Sequence, residues 1–210
     1  MLSYIQSKPQ NKIENLIIFI HGYGANGQDL ISLEKHFQNA LPNLHAISPN
    51  APHQTNFYPN SYYWFELASF DQEYLQQQLN NTIPILEKFI ENILKKHNLA
   101  KENLTLCGFS QGSLLAITYA LSQKEPLKSV LSFSGGALSN IINKTQNQTP
   151  ICLIHGQDDE ILPKEYSLQT YKNLKTINHP VKLKLIENLG HNIDNQGINF
   201  AINFIKNLQK

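Results

Sequence analysis

A serine between two glycines, at the joint between an apolar run and a helix-forming run, is the feature of this chain best suited to chemistry. Residues 104–112 read Leu-Thr-Leu-Cys-Gly-Phe-Ser-Gln-Gly, and Ser113-Leu-Leu-Ala-Ile-Thr-Tyr-Ala-Leu follows. The pattern predicts a strand, a sharp turn and a helix with Ser110 at the apex, the arrangement of a nucleophile elbow. Gly108 and Gly112 leave room for a tight backbone, and the turn lifts the hydroxyl clear of the sheet. Cys107 lies three residues short of the apex, on the strand, where a thiol is expected to be buried rather than reactive.

A serine hydroxyl needs a base to take its proton and an acid to orient that base. On elbow scaffolds the chain order is Ser, then Asp or Glu, then His. His191, in Leu189-Gly-His-Asn192, follows a strand-like run and precedes the last helical run, so it fits the base. His155 ends a strand, and His179 precedes one, which puts it at the wrong end of a parallel sheet. For the acid, the run Ile151–Ile154 leads into Asp158-Asp159-Glu160, and the residues alone leave the choice among these three open. Acidic residues before a helix also serve as plain caps. An oxyanion needs preorganised donors. The N–H of Gln111, opening the elbow helix, and that of Tyr23, in His21-Gly-Tyr-Gly24 after an early strand, are the candidates.

These residues require a sheet to position them. Strand-like runs occur at 16–20, 44–48, 104–107, 129–133, 151–154 and 181–186, and helix-like runs at 28–40, 72–97, 111–122, 163–176 and 194–208. Their alternation predicts a mainly parallel α/β sheet with helices on both faces. Asp71 and Asp194 are expected N-caps, and Pro163 suits a first helical turn. Pro84 should kink the second helix or divide it. Residues 2–6 are read as a short edge strand and 140–149 as a polar surface loop. The stretch 49–70 is irregular and rich in aromatics, from Phe57 to Phe65. It is expected to wall the site beside Ser110 with Trp64 facing inward, the alternative being that it packs the loop onto the sheet. The 210 residues are read as a single domain, with little length to spare for a large cap.

Composition narrows the classes of function. Hydrophobic residues make up 41% and charged residues 16%, a globular balance, and the net charge of +1 offers no footprint for nucleic acid. Every basic residue among the Lys and Arg is lysine, so a forked anion clamp is not expected. No apolar run approaches the ~20 residues of a membrane span. Two cysteines, Cys107 and Cys152, sit in apolar runs and are expected to be free buried thiols. With no charged segment leading into an apolar core at the N-terminus, a cytoplasmic location is expected. Gly22-Tyr-Gly24-Ala-Asn-Gly27 is a literal G-x-G-x-x-G, but no acid stands at the end of the next strand, Ala46-Ile-Ser-Pro-Asn50, as dinucleotide binding requires. The eight histidines are scattered without metal-ligand spacing.

Four blocks taken together resemble the phospholipase/carboxylesterase family of α/β-hydrolases, which includes acyl-protein thioesterases: His21 to Leu30, Ser48 to Pro52, Gly108 to Gly112, and His155 to Pro163 with Gly190-His191. The resemblance implies an α/β-hydrolase fold without a large cap domain. It implies a Ser-His-Asp acyl-enzyme mechanism on esters or thioesters with an apolar acyl chain, carried by small molecules, lipids or acylated proteins. It implies no cofactor and no metal, and a homodimer as one expected state. It selects Asp159 as the acid, four residues after His155, and places Trp64 at the rim of the site and Leu162 among the substrate-binding residues. The chain departs from the family at Glu160, where a proline is usual, and at Ser113, where a second glycine is usual and a side chain should crowd the helix. A small peptidase on the same fold and a non-catalytic binding module are the alternatives.

Overall fold

Apolar runs bounded by turn formers become strands buried on both faces, as a covered parallel sheet demands. The computed structural model describes residues 2–8 and 12–208. The chain forms β1 (Tyr4–Gln6), β2 (Asn15–Ile20), the short helices α1 (Gly27–Ile31) and α2 (Glu34–Phe37), β3 (Leu44–Pro49), β4 (His53–Gln54), β5 (Tyr62–Tyr63) and the long helix α3 (Gln72–His97). Then come β6 (Leu104–Phe109), α4 (Gln111–Ser122), β7 (Ser129–Phe133), α5 (Ser139–Ile142), β8 (Ile151–Gly156), α6 (Glu165–Thr176), β9 (Val181–Ile186) and α7 (Asn195–Leu208).

Seven strands make one sheet in the order β1-β3-β2-β6-β7-β8-β9, parallel except for β1, which pairs antiparallel with β3. β4 and β5 form a separate ribbon. The strand period of two divides the core. Leu16, Ile18 and Ile20 of β2 pack toward α3 and α4, while Ile17 and Phe19 pack with Phe37 of α2 and with Ala201, Phe204 and Ile205 of α7. Strand order reverses at β2: β3 lies on one side of it and β6, with all later strands, on the other. Ligand sites of open parallel sheets form at the carboxyl ends of strands flanking such a switch. Here those ends carry the His21–Gly24 loop and Ser110.

Several sequence expectations need correction. The run 28–40 is two short helices rather than one, separated at Ser32 and Leu33. α3 continues unbroken through Pro84. Pro84 and Asn80, whose carbonyl loses its helical donor, both lie on the exposed face, where water can replace the bond, while Leu75, Leu79, Leu86, Phe89 and Ile90 form the buried stripe. Pro163 stands two residues ahead of α6. The stretch 140–149 is not a plain surface loop. Ile142 is buried, the Asn147 amide donates to the carbonyls of Ala120 and Gln123, and the Thr149 hydroxyl accepts from Leu127 N–H. Both N-caps are present: Asp71 accepts from Glu73 and Tyr74, and Asp194 from Gly197. Both cysteines are free and buried, and burial raises their thiol pKa values. No helix among the described residues is long and apolar enough to cross a membrane.

His21, His45, His155 and His179 are all buried. Burial lowers each pKa from 6.5, that of His45 to about 4. Between the lowered values and 6.5 the unfolded chain binds more protons than the folded one, so stability rises with pH across that window. The contribution is complete above the unfolded value and is lost as pH falls toward the folded one. Urea midpoints measured from pH 7.5 to 4.5 should therefore decline steadily. His45→Phe should make the decline shallower, because the His45 Nε2 atom has no partner to lose. A midpoint that stays flat until carboxylates protonate would contradict this.

Candidate active site

Ser110 joins β6 to α4 with φ 53° and ψ −118°, a region that side chains rarely occupy. Two close approaches make this turn. A Cβ at Gly108 would lie 2.4 Å from the Gly112 carbonyl oxygen, and one at Gly112 only 2.0 Å from the Ile20 carbonyl oxygen. Glycine at both positions lets α4 start directly against the end of β2. The Ser110 N–H donates to the Phe133 carbonyl of β7 at 2.9 Å, which ties the apex to the neighbouring strand. Ser113 does not crowd the helix as expected. It is buried, its Oγ lies 2.7 Å from Ser132 Oγ, and its Cβ fills the space left by Gly135, where a Cβ would sit 2.4 Å away.

Of the three adjacent acids, only Asp159 is buried, and Asp158 and Glu160 point to solvent. Asp159 Oδ1 accepts from the N–H groups of Ile161 and Leu162 at 3.0 and 2.8 Å. Its Oδ2 accepts from His191 Nδ1 at 2.7 Å. Burial alone would raise the carboxyl pKa. The hydrogen bonds from Leu162 N–H and His191, with the charges of His191 and His155, outweigh it and hold the value below the usual range. The His191 ring packs against Phe109, the residue before Ser110, with centroids 4.9 Å apart. Among the described residues Ser110 and His191 share no side-chain hydrogen bond, and such contacts tighten when substrate binds. His155 is buried with both ring nitrogens engaged, which removes it as the base. His179 bonds the Thr149 carbonyl ahead of β8, at the opposite end of the sheet.

The Tyr23 and Gln111 N–H groups have no other hydrogen-bond partner among the described residues. A Cβ at Gly22, next to Tyr23, would lie 3.2 Å from Ser110 Cβ, so the two candidate donors border the serine. The Gln111 side chain does something the sequence did not announce. Its Oε1 accepts from Trp64 N–H at 2.8 Å and its Nε2 donates to the Phe65 carbonyl at 2.7 Å. This amide clamp binds the aromatic segment to the elbow helix. His21 works alongside it: Nδ1–H donates to the Gly22 carbonyl, and Nε2 accepts from Ala51 N–H. Burial keeps that ring neutral, as an accepting Nε2 requires.

The expectation that Trp64 faces an acyl site is overturned. Trp64 is 0% exposed, and its indole N–H donates to the His21 carbonyl at 3.0 Å. A buried indole needs such a partner, and this one turns the ring into the core beneath the His21 loop. Phe65 takes the place assigned to it. A groove of about 640 Å³, open mouth included, starts at Ser110 and Gln111 and is walled by Phe65, Leu67, Phe70, Leu138, Leu162 and Tyr166. Leu162 lines the groove. The lining carries no charged side chain. Phe57 and Tyr58 stand 74% exposed, outside it.

In the Gly22–Gly27 run, Gly22 and Gly27 serve close packing and Gly24 a positive φ of 80°. A Cβ at Gly27 would lie 2.4 Å from the Ser48 carbonyl oxygen, and the helix that follows has only five residues. Among the described residues no three His, Cys, Asp or Glu side chains gather as a metal-holding group.

Residues 3–209 match the sequence profile described as Phospholipase/Carboxylesterase. The chain is 21% identical to esterase YpfH of Escherichia coli, covering 97% of this chain and 87% of that one. It is 26% identical to acyl-protein thioesterase 1 homolog 1 of Dictyostelium discoideum, over 97% and 94% of the two chains. Among solved structures, esterase PE8 superposes with a TM-score of 0.91 at 27% identity, over 99% of both chains. The carboxylesterase of Bacillus cereus shares the fold at a TM-score of 0.80 and 18% identity, over 99% of this chain and 95% of that one.

Trp64 and Phe65 make contrasting variants. Trp64→Ala should lower stability by about 3–5 kcal/mol, the usual cost of emptying a core aromatic site, and reduce kcat/KM by the same factor for acetate and octanoate esters. Phe65→Ala should reduce kcat/KM for octanoate several-fold more than for acetate. Urea denaturation and steady-state kinetics on the two esters check both. A chain-length bias at Trp64 rather than Phe65 would reverse the assignment.

Proposed function

The chain belongs to the phospholipase/carboxylesterase family of α/β-hydrolases and is a carboxylic ester hydrolase, and on that footing we propose that Ser110, His191 and Asp159 are its catalytic residues, acting on uncharged esters or thioesters with an apolar acyl chain. The observation that carries this is the 2.7 Å bond between Asp159 Oδ2 and His191 Nδ1, beside a serine elbow that opens onto an uncharged apolar groove.

In the proposed cycle, His191 Nε2 takes the Ser110 proton as Oγ bonds to the acyl carbon. The carbonyl oxygen becomes an oxyanion, and the N–H groups of Tyr23 and Gln111 receive it. Collapse breaks the bond to the leaving oxygen or sulfur, which departs with the proton from His191. Water then repeats the sequence on the acyl-enzyme: His191 takes its proton, the hydroxyl adds to the acyl carbon, and Ser110 leaves with the proton restored. Asp159 holds Nδ1–H throughout, so that Nε2 faces the serine, and stabilises the imidazolium as it forms. The acyl chain lies in the groove, where each buried CH₂ contributes ~0.8 kcal/mol. The names of the relatives support both small esters and acylated proteins as substrate carriers.

A fluorophosphonate probe should label the wild type on Ser110, and Ser110→Ala should lose both labelling and esterase activity while keeping its fold. Cys107→Ala should keep most activity. Asp159→Asn should lose on the order of 10⁴ in kcat near neutral pH, the loss known for an orienting acid in a serine protease. Asp158→Asn and Glu160→Gln should stay within about tenfold of wild type, or ~1.4 kcal/mol in barrier. A phosphonyl adduct on Cys107, or a crippled Asp158→Asn, would overturn the corresponding assignment.

A further inference from the structure

His155 is a buried histidine of the site that takes no part in the steps above. It lies near the end of β8, 1% exposed. Its Nε2 lies 2.8 Å from the Leu162 carbonyl oxygen and 3.1 Å from Asp159 Oδ2. Both are acceptors, so Nε2 carries a proton; it is hydrogen-bonded to the Leu162 carbonyl, and the Asp159 carboxylate lies beside it at ion-pair distance. Its Nδ1 lies 2.7 Å from Ser167 Oγ of α6, and that hydroxyl also meets the Gly135 carbonyl. Asp159 therefore receives three hydrogen bonds and one close imidazole contact. Two backbone N–H groups hold Oδ1, and the imidazoles of His191 and His155 share Oδ2. Among the described residues these two histidines are its only basic partners within ion-pair distance.

We infer that His155 is a positioning residue for the hydrolytic reaction, acting through Asp159; this rests on the catalytic assignment proposed above. The donors on Oδ1 come from the residues two and three positions onward in the same turn, so alone they fix the carboxylate only relative to its own loop. His155 fixes it relative to the sheet. The chain of contacts then returns to the nucleophile. Ser167 reaches Gly135, whose Cβ position lies 3.2 Å from the Ser110 carbonyl oxygen. One path of polar contacts and close packing thus links the acid to the elbow. The Leu162 carbonyl would satisfy Nε2 by itself. The second contact, to Oδ2, is the one a purely architectural histidine does not need.

A double-mutant cycle separates the two roles. The rate of Ser110 labelling by a fluorophosphonate probe, and kcat/KM where measurable, are taken for the wild type, His155→Leu, Asp159→Asn and the double variant. Loss of the polar contact to the charged carboxylate predicts a roughly tenfold drop for His155→Leu, borne by kcat with KM little changed. In the Asp159→Asn background the same substitution should cost less than about threefold. His155→Gln, which can return an N–H donor near the Nε2 position, should recover most of the loss. If His155→Leu fails to fold by circular dichroism, Ser167→Ala replaces it, with a smaller loss that again vanishes in the Asp159→Asn background. Absence of probe labelling on wild-type Ser110 would sink the catalytic assignment itself. A labelled wild type with an equal loss in both backgrounds, or with no loss at all, would sink only the role given to His155.

Discussion

A side chain held at φ 53° and ψ −118° costs on the order of 1–3 kcal/mol, and Ser110 stays there because its surroundings leave no other path. Among the described residues, five of the seven non-glycine residues with positive φ are asparagines, which tolerate that region in ordinary turns. The other two are Ser110 and Ser134, which follow the adjacent parallel strands β6 and β7. The strain is therefore concentrated at the carboxyl edge of the sheet, beside the switch point. Backbone contacts enforce it. Gly112 abuts the last carbonyl of β2, Gly108 abuts Gly112, and the Ser110 N–H is fixed to β7. A looser helix start would relieve the serine and separate it from the His21 loop at the same time.

Once the elbow is fixed, the surrounding polar groups must be satisfied without strong cations, because the chain has no arginine to offer. Amide and imidazole donors do this. His21 and the Gln111 amide join the loop after β2, the aromatic segment and α4 into one unit. Asp159 is held by two backbone N–H groups and two imidazoles rather than by a lysine. A carboxylate held this way keeps its charge available to His191. A lysine ammonium at the same distance would neutralise much of the field that stabilises an imidazolium. Buried polar networks are costly when half satisfied, so each member constrains the others.

The elements that position the site were legible because their signals are local. Strand runs appeared where apolar residues met turn formers, and the elbow was marked by two glycines at fixed offsets from a serine. The order Ser, acid, His followed from chain order on a parallel sheet. What escaped reading depends on contacts distant in sequence. Nothing in residues 57–65 says that Trp64 turns beneath the His21 loop while Phe65 turns to the groove, because that choice is made by Gln111 and the His21 carbonyl, each more than 40 positions away in the chain. Pro84 looked like a break because sequence alone does not reveal that its missing bond faces water. The residues alone left the acid open among three neighbours and only the family resemblance pointed to Asp159, which burial sets apart from Asp158 and Glu160. His155 was visible only as a rival base, since its role depends on Ser167 and Leu162 closing around it.

The groove draws most of its walls from three loops at the carboxyl end of the sheet, Phe65 to Phe70 before α3, Gly135 to Leu138 after β7, and Ile161 with Leu162 after β8, completed by Leu75 of α3, Leu114 of α4 and Tyr166 of α6. No cap is inserted over them among the described residues, so the apolar surface there is built from the fold's own connections. Its inner part is closed, whereas Phe70 and Ile161 at the mouth are 56% and 71% exposed. Under the proposed chemistry this gradient decides where chain-length preference arises. A short acyl group covers only surface that is already dry and gains little. A longer chain reaches Phe70 and Ile161 and removes their exposed area from water, at ~25 cal/mol per Å². Selectivity of that kind needs no deep tunnel and no charged anchor. It comes from leaving apolar residues uncovered at the rim of a site whose chemistry is fixed by the elbow.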